Sequence, residues 1–289
     1  MRQHSFVLIG GDMRQAYLGR LLAERGEQVA AVGLERHGGG EWFPLAADVR
    51  TACAEADVVV LPLPVLQGRG LLNAPLANAP FRMTDVLDAI PAGMPVFGGA
   101  VPQMVREMAK RRELRVRDYL AREELAVFNA IPTAEGAIQI AMEQLPVTIH
   151  NLPVLVIGNG RIGSALAQRL KGLGAEVTVS ARRQADFARI ASMGYRWTDT
   201  RALDDIIGQF ALIVNTVPAP ILTRLVLSQC RPDVLILDLA SGDGGIAPDA
   251  ASLRKSIHAL SLPGRVAPVT AAAGICDTIT HMLEEEQLL

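Results

Sequence analysis

Short apolar runs alternate with segments whose apolar residues recur at three- and four-residue spacing, and the chain runs through this pattern twice. Residues 6–10 form an apolar run that ends in Gly10-Gly11-Asp12. Tyr17, Leu18, Leu21 and Leu22 then recur at helical spacing until Gly26 stops the helix. Residues 28–33, 57–61 and 94–97 read as further strands, the second running into Pro62-Leu63-Pro64 and the third into Gly98-Gly99. Strand and helix in alternation predict a parallel sheet covered on both faces, a flavodoxin-like βαβ domain of about 120 residues.

The second half restarts the alternation. Strands are expected at 154–158, 176–180, 195–197, 211–216, 234–239 and 257–260. Helices are expected at 161–172, 184–193, 201–207 and 221–228. Six strands separated by helices suit a doubly wound sheet. Between the halves, Ile131-Pro132-Thr133-Ala134-Glu135 reads as a helix start with Thr133 as N-cap, running to Leu145 before Pro146. The expected division is residues 1–130 and 131–289, with a last helix, 268–289, that can pack back on the first domain. Residues 106–118 carry six basic and three acidic side chains and read as a solvated helix face rather than a binding patch.

Composition narrows the class. Half of the 289 residues are hydrophobic, 20% are charged and the formal net charge is −2, so no electrostatic case arises for nucleic acid or a membrane surface. No uninterrupted apolar run approaches the ~18 residues of a spanning helix. The N-terminal residues enter a strand without a signal-peptide core. Cys53, Cys230 and Cys276 are far apart without metal-ligand spacing, which suits reduced, buried thiols and no metal. A cytoplasmic protein is the expectation.

The chemistry concentrates at Val154-Leu155-Val156-Ile157-Gly158-Asn159-Gly160-Arg161-Ile162-Gly163. An apolar β-branched run enters G-x-G-x-x-G and an amphipathic helix leaves it, the context of a Rossmann dinucleotide site. Gly158 allows the turn, Gly160 lets backbone approach a pyrophosphate and Gly163 lets helix pack on strand. NAD proteins place an acidic residue about 20 residues further on. Here the second strand runs into Ser180-Ala181-Arg182-Arg183. A hydroxyl and two guanidiniums suit the 2′-phosphate of NADP, which Arg binds through a planar fork. The alternative is that both arginines are solvated residues opening the next helix. Thr216, Val217, Pro218, Ala240 and Ser241 at later strand ends are further cofactor candidates, with Pro218 expected over the nicotinamide side. Asp238 lies inside an apolar strand, where a structural hydrogen-bonding role is as plausible as a catalytic one. Gly10-Gly11-Asp12 lacks a third glycine, and Asp12 would repel a pyrophosphate. Arg14 and Gln15 behind it are candidates for a substrate carboxylate, or simply a solvated first turn.

These residues resemble the family of dipicolinate synthase A chains of spore-forming bacteria nearly end to end. The resemblance rests on residues 9–15, 129–139, 158–163, 238–241 and 262–268. It departs at Gly242-Asp243, where the family usually shows a Lys-Pro-like pair before two glycines. The resemblance implies NADP(H)-linked oxidation of a dihydropyridine dicarboxylate, dihydrodipicolinate, to pyridine-2,6-dicarboxylate. It also implies a flavoprotein partner, the B chain of dipicolinate synthase, and a sporulating mother cell. A homo-oligomer is expected. Within that chemistry Arg14 and Arg265 are candidates for clamping carboxylates, with Asp12, Gln15 and Thr133 beside substrate. Glu135 either takes a proton or serves the helix dipole. The rivals are a D-2-hydroxyacid dehydrogenase-like enzyme and a non-catalytic NADP-binding scaffold protein. The first needs a cleft histidine, and His4, His37, His150, His258 and His281 include none in a suitable loop; His258 reads as a core residue of the last strand.

Overall fold

The computed structural model describes residues 3–38, 41–68 and 70–286. The chain divides into one unit of residues 1–128 with 267–289, and a second of residues 129–266.

In the first unit, β1 (Ser5–Ile9), β2 (Gln28–Val32), β3 (Val58–Val60), β4 (Pro95–Gly98) and β5 (Arg115–Asp118) form a parallel sheet in the order β2-β1-β3-β4-β5. That is the flavodoxin order, with its switch point between β1 and β3. Val7, Leu8, Ile9, Val59 and Val60 are at most 1% exposed, as strands covered on both faces must be. Helices α1 (Met13–Glu24), α2 (Val49–Cys53), α3 (Met83–Ala89) and α4 (Gln103–Lys110) supply the cover.

The basic stretch is not one helix. After α4 the chain turns at Glu113, whose φ is +57°, and residues 115–118 become the edge strand β5. Alternating charges suit an edge, where they deter pairing with another chain. Charge alone hid that strand.

Helix α5 (Glu123–Gln144) corrects the expected start at Thr133. It begins ten residues earlier and carries Pro132 inside it. Pro132 has no N–H to bond the carbonyl one turn back, and Thr133 is no cap; its Oγ1 donates to the Asn129 carbonyl at 2.7 Å. By length and composition alone α5 is apolar enough to cross a membrane, but Leu125, Ala130, Ala134, Ala137 and Ala141 are buried in the protein.

The second unit holds β6 (Pro153–Ile157), β7 (Glu176–Ala181), β8 (Arg196–Asp199), β9 (Leu212–Asn215), β10 (Leu235–Asp238) and β11 (Ser256–His258). All are parallel, in the order β8-β7-β6-β9-β10-β11. Renumbered from β6, this is 3-2-1-4-5-6, the Rossmann order, which reverses between β6 and β9. Its helices include α6 (Arg161–Gly172), α7 (Gln184–Ser192), α8 (Arg224–Ser228) and the short α9 (Leu262–Val266). The expected helix at 201–207 is instead two single 3₁₀ turns, Thr200–Ala202 and Ile207–Gln209. The helix at 221–228 starts only at Arg224, because Leu222 bridges to Ile246 as extended chain.

Helix α10 (Pro268–Glu285) belongs to the first unit. It buries Ala272, Ile275, Cys276, Ile279 and Leu283 in the same cluster as Leu18 and Leu22 of α1. Arg25 pairs with Asp277 at 2.5 Å, and Arg122 forks onto Glu285 at 2.7 and 2.6 Å.

Candidate dinucleotide site

Each glycine after β6 answers a different steric demand. Gly158 has φ +102°, and a Cβ there would lie 2.5 Å from Thr216 Oγ1. At Gly163 a Cβ would meet the Gly158 carbonyl oxygen at 2.0 Å, so only glycine lets α6 sit this close to the turn. Gly160 differs: a Cβ there meets nothing within 4 Å. No described protein atom needs that residue to be small. The space kept clear lies on the wall of a 370 Å³ pocket, as backbone approached by a pyrophosphate requires. Helix α6 has Gly160 at its N-cap and no side-chain cap, and a helix end of this kind favours an anion. Asn159 is fixed by the Ser164 hydroxyl, 3.1 Å from its Oδ1.

The pocket is walled by Gly158, Asn159 and Gly160 on one side and by Arg182 and Arg183 at the end of β7 on another. Thr216, Val217, Pro218 and Ile221 after β9 close it. Pro218, expected over the nicotinamide side, lines the same pocket as the glycine turn and the two arginines. Arg161, Ile162, Gly163, Ala240 and Ser241 lie off this wall. Ser180 is also off it: the residue is 0% exposed, and its Oγ accepts from Thr200 at 3.1 Å. Thr200, which lines the pocket, also reaches the Ala181 carbonyl at 3.0 Å.

The two arginines are not equivalent. Arg183 is engaged by Asp186, three residues on, through Nε at 2.8 Å and Nη2 at 3.2 Å. Those bonds hold the Asp186 carboxyl below the usual carboxylate range. Arg182 is exposed on the pocket wall and, among the described residues, its side chain makes no hydrogen bond or ion pair. Asp186 and Thr200 escaped sequence reasoning. The three-residue spacing from Arg183 to Asp186 was a usable signal for one. Thr200 required knowing that β8 lies beside β7, with Asp199 opposite Ala181.

In the first unit, Asp12 caps α1, accepting from Arg14 N at 3.0 Å. It also holds the Arg14 guanidinium, Nη2 to Oδ2 at 2.7 Å, while Nη2 reaches the Leu63 carbonyl at 2.5 Å. Gln15 is buried and donates to the Val60 carbonyl at 2.8 Å. Neither is a solvated first turn. In the second unit, Glu135 is exposed and pairs with Arg169 at 3.2 Å. Arg265 is exposed on α9, whose Leu262 and Val266 side chains close on Gly136 of α5. His258 is exposed on β11, not core, with Nε2 2.9 Å from the Ala240 carbonyl. Burial pushes the thiols of Cys53, Cys230 and Cys276 up to about 11, which leaves them unreactive at neutral pH.

A Rossmann sheet carrying this glycine turn defines a nicotinamide-dinucleotide-binding protein of the oxidoreductase class. The family model for the N-terminal domain of the dipicolinate synthase A chain matches residues 5–120. That described as "D-isomer specific 2-hydroxyacid dehydrogenase, NAD binding domain" matches residues 132–245. The dipicolinate synthase A chain of Bacillus subtilis (strain 168) is 33% identical over 285 residues, covering 97% of this chain and 96% of that protein. The crystal structure of the corresponding dipicolinate synthase chain from Bacillus halodurans superposes with a TM-score of 0.89 at 28% identity, covering 97% of each chain. The crystal structure of the A chain from Bacillus subtilis gives 0.87 at 32% identity, over 100% of this chain and 98% of that one. This protein belongs to the dipicolinate synthase A-chain family.

Proposed function

We propose that the chain is the NADP(H)-binding component of a dipicolinate synthase, acting with the flavoprotein B chain of that enzyme in the cytoplasm of a sporulating mother cell. The reaction is oxidation of a dihydropyridine-2,6-dicarboxylate to the aromatic pyridine dicarboxylate. The observation that carries the cofactor assignment is Arg182, a guanidinium with no partner among the described residues, on the pocket wall. The acid on the same wall, Asp186, is already held by Arg183. A free cation and an occupied carboxylate favour a 2′-phosphate over a bare ribose hydroxyl.

When bound, the oxidised dinucleotide would supply a hydride acceptor, and loss of a hydride and a proton from the dihydropyridine ring would be favoured by the aromaticity gained. The chain's own task is orientation. Gly158 and Gly160 present backbone to the pyrophosphate, and Arg182 fixes the adenosine end. Asp12 holds Arg14 so that its Nη1, which makes no hydrogen bond among the described residues, is the group offered to a substrate carboxylate. Gln15 stands beside Arg14 in the proposed substrate set of the first unit, Thr133 and Arg265 are the candidates of the second, and the proposed assembly is a homo-oligomer. Glu135, exposed and paired with Arg169, is given no proton to carry.

Replacing Arg182 by Asp should weaken NADPH about 30-fold or more and NADH by less than threefold, as read by fluorescence titration. Equal loss of both would sink the NADP assignment. The lack of a free acid or base among these side chains favours a second reading, a dependent or scaffolding component. Turnover of dihydrodipicolinate with NADP by the isolated chain, compared with turnover after adding the flavoprotein, separates the two. The 2-hydroxyacid chemistry of the matched dehydrogenase family is disfavoured because His258 is tied to Ala240.

A further inference from the structure

The pocket gathers the ends of β6, β7 and β9 with Thr200 beyond β8, which is one half of a dinucleotide crevice. A dinucleotide straddles the switch point, so its other half must run over the ends of β9 and β10. There the sequence offers a loop rich in small residues, 240–245, with little side chain to hold it. What holds it is buried polar chemistry. Asp238, 2% exposed, accepts from Ala240 N at 3.2 Å and Gly245 N at 2.6 Å. It also accepts from Asn215 Nδ2 at 2.8 Å. Asn215, 0% exposed, in turn brackets Val217, donating to its carbonyl at 3.0 Å and accepting from its N–H at 3.2 Å. His258 Nε2 takes the Ala240 carbonyl at 2.9 Å, so the backbone at Ala240 is held from both ends.

The glycines of the loop follow from this network. A Cβ at Gly244 would meet Asp238 Oδ2 at 2.4 Å, and one at Gly245 would meet Asn215 Nδ2 at 2.1 Å. Gly245 then accepts from Leu222 N at 2.9 Å and stitches the loop to the segment that walls the pocket. The departure from the family pattern at Gly242-Asp243 lies outside these contacts. A carboxylate buried on three N–H donors, facing glycines that a methyl group would displace, fixes main chain to a tolerance that side-chain packing alone would not.

We propose that Asp238 is a positioning residue: through Ala240 and Gly245 it sets the loop on which the nicotinamide half of the dinucleotide lies. The inference rests on the dinucleotide reading of the site. Asp238→Asn keeps shape but turns an N–H₂ toward one of the three donors. Val217 stays bracketed by Asn215, so the adenosine half is untouched. Calorimetric titration of the full chain should show Asp238→Asn losing about tenfold in affinity for NADPH while binding 2′,5′-ADP, which carries only the adenosine end, as wild type does. Gly244→Ala, whose added Cβ would meet Asp238 Oδ2 rather than Asn215 or Val217, should behave the same way. Retained 2′,5′-ADP binding also shows that each variant is folded. Equal loss of both ligands, or loss of neither, overturns the positioning role alone. A wild-type chain that binds neither ligand overturns the dinucleotide reading and the inference with it.

Discussion

The chain passes from a first strand through a glycine turn into a helix twice, after β1 and after β6, and the two turns end differently. At the first, Gly10 and Gly11 have φ of +65° and +111°, and Asp12 caps α1 and then takes the Arg14 guanidinium. At the second, Gly158 has φ +102°, Gly160 stands at the N-cap, and no side chain caps α6. The same local topology has been closed by its own acid in one unit and left open in the other. A helix N-terminus attracts one anion. In the first unit the protein supplies it; in the second the proposed dinucleotide would.

The sharpest way to break the comparison is at Gly163. An alanine there would put its Cβ 2.0 Å from the Gly158 carbonyl oxygen, which is backbone and cannot swing away. We expect Gly163→Ala to destabilise the chain by about 3 kcal/mol or more and to abolish NADPH binding. Thermal melting together with titration checks this. A variant that melts and binds like wild type would show that the turn has room to spare.

Asp12→Ala should come next. It removes a cap, about 1 kcal/mol. It also strands the Arg14 guanidinium, whose side chain is 7% exposed, on the Leu63 carbonyl. Together we expect about 3 kcal/mol, the lower end for breaking a buried pair, because Asp12 itself is 32% exposed. The melting temperature should fall while NADPH affinity stays at the wild-type value. If NADPH affinity fell in step, the closed turn would not be independent of the open one.

Gly160→Ala reverses that signature. Its φ is −84°, ordinary for alanine, and nothing lies within 4 Å of the added Cβ. Stability should change by less than about 1 kcal/mol, whereas NADPH affinity should drop about 100-fold, roughly 2.7 kcal/mol. Unchanged affinity in a stable variant would remove the pyrophosphate from Gly160.

What the sequence reveals follows the same division. The open turn was legible because its function is written in backbone chemistry: glycine at three spaced positions after an apolar run has few other uses. Asp12, Arg14 and Gln15 were legible as a group near a strand end, but not as partners of one another and of Leu63 and Val60. The contacts with Leu63 and Val60 join residues 49 and 45 positions apart. Strand β5 hid behind its arginines, since an edge strand need not alternate apolar and polar residues. Helix α5 hid behind Pro132, because a proline with Thr133 after it looks the same at a helix start as inside a longer helix. Asp238 was visible as a buried acid, but its three donors come from β9 and from a loop whose path no periodicity records.

The smallest effect concerns the open site's second arginine. If Asp186 simply reserves Arg183, then Asp186→Asn releases a guanidinium and removes a negative charge from the pocket wall. Both changes favour a phosphate dianion. NADPH should bind about threefold tighter, NADH should be unaffected, and the gain should shrink as salt is raised. The sign is the test. Weaker NADPH binding would mean that Arg183 contacts the phosphate only in the orientation Asp186 imposes. The open turn would then depend, like the closed one, on a carboxylate of its own to aim an arginine.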